Sequence, residues 1–235
     1  MNVRQFDRYE EMSRHAAFAV AAQIRQKPDS VLGLATGSTP IGLYEDLVKL
    51  YQDGLISFQN VKTFNLDEYC GLSTGHPESY HSFMEQHLFS KIDILKENTH
   101  LMDGCAKDPA EECRRYEAEI AAAGGIDLQI LGIGLDGHIG FNEPDSNFSA
   151  DSHMVELDAS TREANARFFN GDIAKVPTSA LTMGMRCIMS ARRVILISSG
   201  EKKHEILKKA LSGPVCPEVP ASILQLHPNV DIMFC

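Results

Sequence analysis

Ten residues, Leu135-Asp136-Gly137-His138-Ile139-Gly140-Phe141-Asn142-Glu143-Pro144, hold two carboxylic acids, an imidazole and a carboxamide. A histidine beside two carboxylates can have its tautomer fixed and its pKa raised, which suits proton shuttling near neutral pH. The glycines and the proline exclude a regular helix, so the stretch is a loop. The apolar run from Leu128 to Ile133 reads as a buried strand and puts that loop at the strand's end. With extended backbone at Asp136–His138 the two side chains project to one face, and Glu143 can fold back toward them. The competing reading is a glycine-rich surface loop with scattered polar groups.

Two more junctions carry reactive residue types. Thr36-Gly37-Ser38-Thr39-Pro40 joins the apolar run Ser30–Ala35 to apolar residues at helical spacing, Ile41, Tyr44, Leu47, Val48 and Tyr51. Backbone N–H groups at such a strand-to-helix turn converge beside the positive end of a helix dipole and suit a phosphate or carboxylate. Alternatively, a hydroxyl there only caps the helix. No G-K-[ST] follows, so the turn is not a nucleoside triphosphate loop. Phe64-Asn65-Leu66-Asp67-Glu68-Tyr69 puts two acids at the end of the apolar strand Val61–Leu66. Desolvation at an apolar rim raises a carboxylate's pKa and basicity, which marks Asp67 as a candidate base. Glu68 and Tyr69 read as turn caps or supporting groups. Arg167, on a helix with Arg162, and Lys203, in a lysine pair after a strand, either complete an anion pocket or are solvated.

Other chemistries fail on spacing. Gly132-x-Gly134-x-x-Gly137 matches the dinucleotide fingerprint in letters, with Asp158 about 20 residues on. That fingerprint needs a helix after it, and Gly140 and Pro144 prevent one. Histidines 76, 81 and 87 are not spaced as a helical zinc pair, so no metal is expected. The six cysteines include no C-x-x-C pair and read as reduced thiols in a cytoplasmic protein. A formal charge of −10 makes nucleic acid a poor partner. The charged start of the chain is no signal peptide, and no apolar run approaches the roughly 20 residues of a membrane span.

The elements that must position these loops alternate. Helices are predicted over 9–26, from 41, over 78–92, from Asp108-Pro109, over 159–169 and over 200–211. Strands are predicted at 30–35, 61–66, 126–133, 153–157, 194–198 and 230–234. The pattern gives one α/β domain, residues 1–235, built on a mostly parallel, doubly wound, Rossmann-like sheet with helices on both faces. In such folds ligands bind beyond the C-terminal strand ends, so the loops at Thr36, Asp67 and Leu135 are expected to converge. Residues 144–185 contain Arg167 but no long regular pattern, and are expected to form a lid.

The chain resembles the glucosamine-6-phosphate deaminases. The motifs are LATGSTP at 34–40, FNLDEY at 64–69, HPESY at 76–80, DGHIGFNEP at 136–144, TREANARFF at 161–169 and LQLHP at 224–228. They span the chain from about residue 30 to its end. The related 6-phosphogluconolactonases share the fold and parts of the phosphate loop, but not the FN-x-DEY and GHI-x-FNEP pair. The resemblance implies conversion of glucosamine 6-phosphate to fructose 6-phosphate and ammonia without redox cofactor or metal. By position, it implies Asp67 as the base between C2 and C1 and His138 as the acid/base that opens the ring. Asp136 and Glu143 would be carboxylate partners of His138, and Thr36, Gly37, Ser38, Thr39, Arg167 and Lys203 would hold the phosphate.

One branch of that family is allosterically activated and hexameric. It carries a basic pair shortly after FNEP and a longer C-terminal extension. Here Ser146 is kept, His153 and Val155 stand in place of the pair, and the sequence stops at Cys235. The expectation is a monomer or small homo-oligomer without an effector site. The alternatives are a 6-phosphogluconolactonase-like hydrolase using His138 as base for water, and a non-enzymatic sugar-phosphate sensor.

Overall fold

The computed structural model describes all residues from Met1 to Cys235. In chain order the strands and helices are β1 (Asn2–Gln5), α1 (Tyr9–Gln26), β2 (Val31–Leu34), α2 (Ile41–Gln52), β3 (Lys62–Asn65), β4 (Asp67–Tyr69), α3 (Tyr80–His87), β5 (Thr99–His100) and α4 (Pro109–Ala122). Then come β6 (Leu128–Leu131), β7 (His153–Glu156), α5 (Ala159–Asn165), β8 (Ser179–Thr182), α6 (Met185–Met189), β9 (Val194–Ser198), α7 (His204–Ser212) and β10 (Val230–Phe234).

Seven strands form a wholly parallel sheet in the order β1-β10-β9-β6-β2-β3-β5. From β2 the chain builds outward through β3 and β5, then returns to the other flank of β2 with β6, β9 and β10. The order therefore reverses between β2 and β6, and a crevice opens where loops from adjacent strands turn opposite ways. The loops leaving those two strands are Thr36–Pro40 and the His138 loop. Strands buried on both sides read as continuous apolar runs, as β9 does with Val194-Ile195-Leu196-Ile197 all buried.

A second, antiparallel sheet, β4-β8-β7, stands at the rim. It begins where β3 ends: Leu66 alone separates β3 from β4, and Asp67 pairs with Thr182. The main core gathers 49 buried residues around the parallel sheet. A separate cluster of Tyr69, Phe141, Leu157, Ala166, Phe169, Val176 and Ala180 lies under the small sheet and α5. Residues 144–185 thus have short regular elements of their own, β7, α5 and β8, where the sequence suggested none beyond a strand and a helix.

Other departures are local. The 78–92 helix is α3 followed by a 3-10 turn, broken at Leu88, whose φ is −140°. The 159–169 helix is α5 followed by a 3-10 turn that stops at Asn170, the one non-glycine residue with positive φ, at 57°. Asp108 caps α4 as its spacing suggests, its carboxylate accepting from the Glu111 N–H at 3.0 Å.

Candidate active site

The three loops meet in a cleft of about 990 Å³ at the C-terminal edge of the parallel sheet. Thr36, Gly37, Ser38, Thr39, Asp67, Asp136, His138, Arg167 and Lys203 all line it. Glu143 does not. It lines a separate hollow of about 470 Å³ and reaches the His138 ring from there.

At the anion end, α2 has no side-chain cap. The hydroxyls that a capping role would consume are turned elsewhere: Ser38 Oγ accepts from Arg167 Nη2 at 3.3 Å, and Thr39 Oγ lies 3.5 Å from Ser199 Oγ. Gly37 has φ of 94°, a conformation open mainly to glycine. Tyr9, from α1, pins the turn by donating to the Thr39 carbonyl at 2.9 Å and accepting from the Gly42 N–H at 2.8 Å. Burial and the neighbouring Arg167 hold Lys203 below the usual lysine pKa. Two cations that repel each other beside a helix N-terminus make a site for an anion.

At the other end, His138 Nδ1 lies 2.7 Å from Asp136 Oδ1 and 3.5 Å from Glu143 Oε2. The Asp136 carboxylate also accepts the His138 backbone N–H at 3.1 Å, so the loop folds the acid back onto its own histidine. Burial opposes charge on the imidazole, but the two carboxylates outweigh it and push His138 up to about 9. In turn, burial would raise Asp136, but His138 holds it well below the usual carboxylate range. The ring rests on Gly134, where a Cβ would lie 2.2 Å from His138 Cε1.

Asp67 is 7% exposed. Burial, with help from the adjacent Glu68, pushes it up to about 7, against an opposing pull from His138. It stands close to the His138 loop: a Cβ on Gly140 would be 3.6 Å from Asp67 Oδ2 and 2.9 Å from Thr182 Oγ. The cleft therefore holds a poised carboxylate and a charged imidazole within reach of one small molecule. Those are the groups for proton transfer between heteroatoms and adjacent carbons.

A family model described as glucosamine-6-phosphate isomerases/6-phosphogluconolactonase matches residues 5–232. The chain belongs to this family. Among its members, a glucosamine-6-phosphate deaminase of Lachnoclostridium phytofermentans is 53% identical over 235 residues, covering 100% of this chain and 99% of that one. One from Thermoanaerobacter pseudethanolicus is 54% identical, covering 96% of this chain and 89% of the relative. The solved structure of a monomeric glucosamine-6-phosphate deaminase superposes with a TM-score of 0.97 at 46% identity, over 100% of this chain and 97% of the other. A 6-phosphogluconolactonase from Thermotoga maritima shares the fold at a TM-score of 0.79 and 20% identity, covering 99% and 98%.

The family's shared sheet supplies only part of the cleft wall. Glucosamine-6-phosphate isomerase/6-phosphogluconolactonase members are named for two different reactions, so the remaining wall matters. In this chain it comes from α3, with Tyr80, Phe83, Gln86 and His87, and from α5, with Ser160, Thr161 and Asn165. Sequence reasoning missed these residues. The HPESY motif was the available signal, since its serine, Ser79, caps α3 by accepting the Ser82 N–H.

Proposed function

We propose that the chain converts glucosamine 6-phosphate and water to fructose 6-phosphate and ammonia. The observation that carries this reading is one cleft with an anion anchor at one end and, at the other, Asp67 poised near neutrality beside a carboxylate-bound His138. The names of whole-length relatives at about half identity support it.

In this reading Thr36, Gly37, Ser38, Thr39, Arg167 and Lys203 hold the phosphate. Binding energy gained far from the reacting carbons then fixes C1 and C2 against Asp67. His138, protonated at neutral pH, gives its proton to the ring oxygen as the C1–O bond breaks and takes the C1 hydroxyl proton in return, leaving the aldehyde, while Asp136 and Glu143 orient the ring and stabilise its charged form. Asp67 takes the proton from C2 as the C1 oxygen is protonated by the imidazolium, giving an enolamine, and then returns the proton to C1. The carbon at C2 is then an imine. Water adds, the C–N bond breaks, ammonia leaves and a ketone remains. Every step is a proton transfer or water addition that carboxylates and an imidazole support.

Arg167 belongs to the 144–185 segment, which supports reading that segment as a lid drawn over the sugar. We further read the protein as cytoplasmic, acting as a monomer or small homo-oligomer. No helix is long and apolar enough to cross a membrane.

The deciding experiment is ammonia release by purified protein given glucosamine 6-phosphate, run beside hydrolysis of 6-phosphogluconolactone. Ammonia production is the expected result. Lactone hydrolysis without ammonia would replace the proposal with the hydrolase reading.

A further inference from the structure

Glu68 is 1% exposed, yet it carries a carboxylate. Its Oε1 accepts the N–H groups of Tyr69 and Tyr80, each at 2.9 Å. Its Oε2 accepts the His81 N–H at 3.1 Å and lies 2.8 Å from His81 Nδ1. Ser79 caps α3 through Ser82 only, so the N–H groups of Tyr80 and His81 would otherwise be unpaired at the start of that helix. A buried carboxylate from β4 fills that positive end from twelve residues away. The helix it holds carries a wall of the cleft, and Tyr80 at its first turn stacks on Phe141 of the His138 loop with centroids 6.2 Å apart and planes 11° from parallel. One side chain thus ties together the Asp67 strand, the cleft wall and the histidine loop.

We propose that Glu68, held by His81, is a positioning residue for proton transfer: it clamps α3 to the strand bearing Asp67 and fixes a negative charge beside that carboxylate. The proposal rests on Asp67 being the base. Side chains 67 and 68 point to opposite faces of β4, so Glu68 does not touch the sugar. It acts through its neighbour. The other titratable groups around Asp67 are His138 from the loop after β6, Tyr69 on its own strand, Tyr44 from α2, Tyr80 from α3 and Tyr116 from α4. Burial raises all four phenols above their ordinary range, so they stay neutral while Asp67 titrates. Burial sets most of the rise of Asp67, and the charges that adjust it are Glu68 and His138.

The test is the pH profile of kcat for ammonia release in Glu68→Gln and His81→Ala, with KM followed separately. Glu68→Gln removes the charge and should move the acid limb down by about half a unit or more. His81→Ala leaves the charge with one donor fewer and should move the limb up. A purely structural clamp would lower the plateau or raise KM in both variants without moving either limb, and that result overturns the proposal. So does movement of both limbs in one direction. Should Glu68→Gln fail to fold, His81, whose side chain is 26% exposed, decides alone by the sign of its shift. Asp67→Asn is the control: if it still releases ammonia at the normal rate, the base assignment has failed, and not the positioning role.

Discussion

The imidazole of His138 lies directly against Gly134, so closely that a methyl group there would stand 2.3 Å from Nδ1. Gly134 needs no left-handed conformation, so alanine is tolerated by the backbone and its effect is steric. Gly134→Ala should push the ring off its carboxylates and cost roughly 10²-fold in turnover, the scale of a displacement of about 1 Å at a reacting group. The check is ammonia release alongside thermal melting. Full turnover in a folded variant would mean that ring placement is unimportant.

Asp67→Asn should lower turnover by about 10²-fold or more while substrate still binds. Solvent deuterium should no longer enter C1 of the ketose product at the normal rate. The same variant should be more heat-stable in mild base. The folded pKa of Asp67, about 7, lies above its ordinary 3.8. Stability from this group is therefore full below about pH 4 and is lost as pH rises toward 7. The asparagine removes that loss, and each kcal/mol recovered is worth about 2–4 °C in a chain of this size. Melting curves should diverge at pH 8 and coincide near pH 4.

Activity should be bell-shaped in pH. A base at Asp67 works only when ionised, so turnover rises through about pH 7. An acid at His138 works only when protonated, so turnover falls through about pH 9. Replacing Asp136 by asparagine removes the larger of the two supporting charges and should pull the alkaline limb down. An alkaline limb that stays in place would dissociate His138 from ring opening.

Arg167→Ala and Lys203→Ala should raise KM and also lower kcat, because the anchor they form orients C1 and C2 against Asp67. A hydrogen bond to a charged group contributes about 1.5–3 kcal/mol, so each loss is on the order of tenfold to a hundredfold. Glucosamine lacking the phosphate should be indifferent to both changes. Equal losses on both sugars would place these residues outside the anion anchor.

Kinetics should be hyperbolic and unmoved by N-acetylglucosamine 6-phosphate. By the sequence resemblance, the stretch that would be basic in an activated member has His153 and Val155 in this chain. Steady-state assays with and without that sugar phosphate are the measurement, and sigmoidal curves straightened by it would disprove the expectation.

The parts legible in the sequence are those fixed by local pattern. Strand β9, with its unbroken apolar run, and helix α4, with Asp108 and Pro109 at its start, are set by neighbouring residues. Of the antiparallel sheet only β7 is, matching the strand expected at 153–157. Strand β4 is three residues long and begins one residue after β3, and β8 is recognisable only through its pairing with β4 and β7. Strand β1 was missed because its four residues, Asn-Val-Arg-Gln, are all exposed and earn their place by pairing with β10. The cleft showed the same divide. Asp136 and His138 are two apart, so their contact is written into the loop, whereas Glu68 finds its partners twelve and thirteen residues on, across a fold-level packing of α3.

The anion anchor draws from both hydrophobic clusters. Thr36 to Thr39 hang from the large one, while Arg167 projects from the helical turn whose Ala166 and Phe169 sit in the small one. The side-chain hydrogen bond from Arg167 to Ser38 is long, at 3.3 Å. In the proposed reading, a phosphate gripped from both sides would be the keystone between the two clusters, so that loading the sugar would also seal the seam above it.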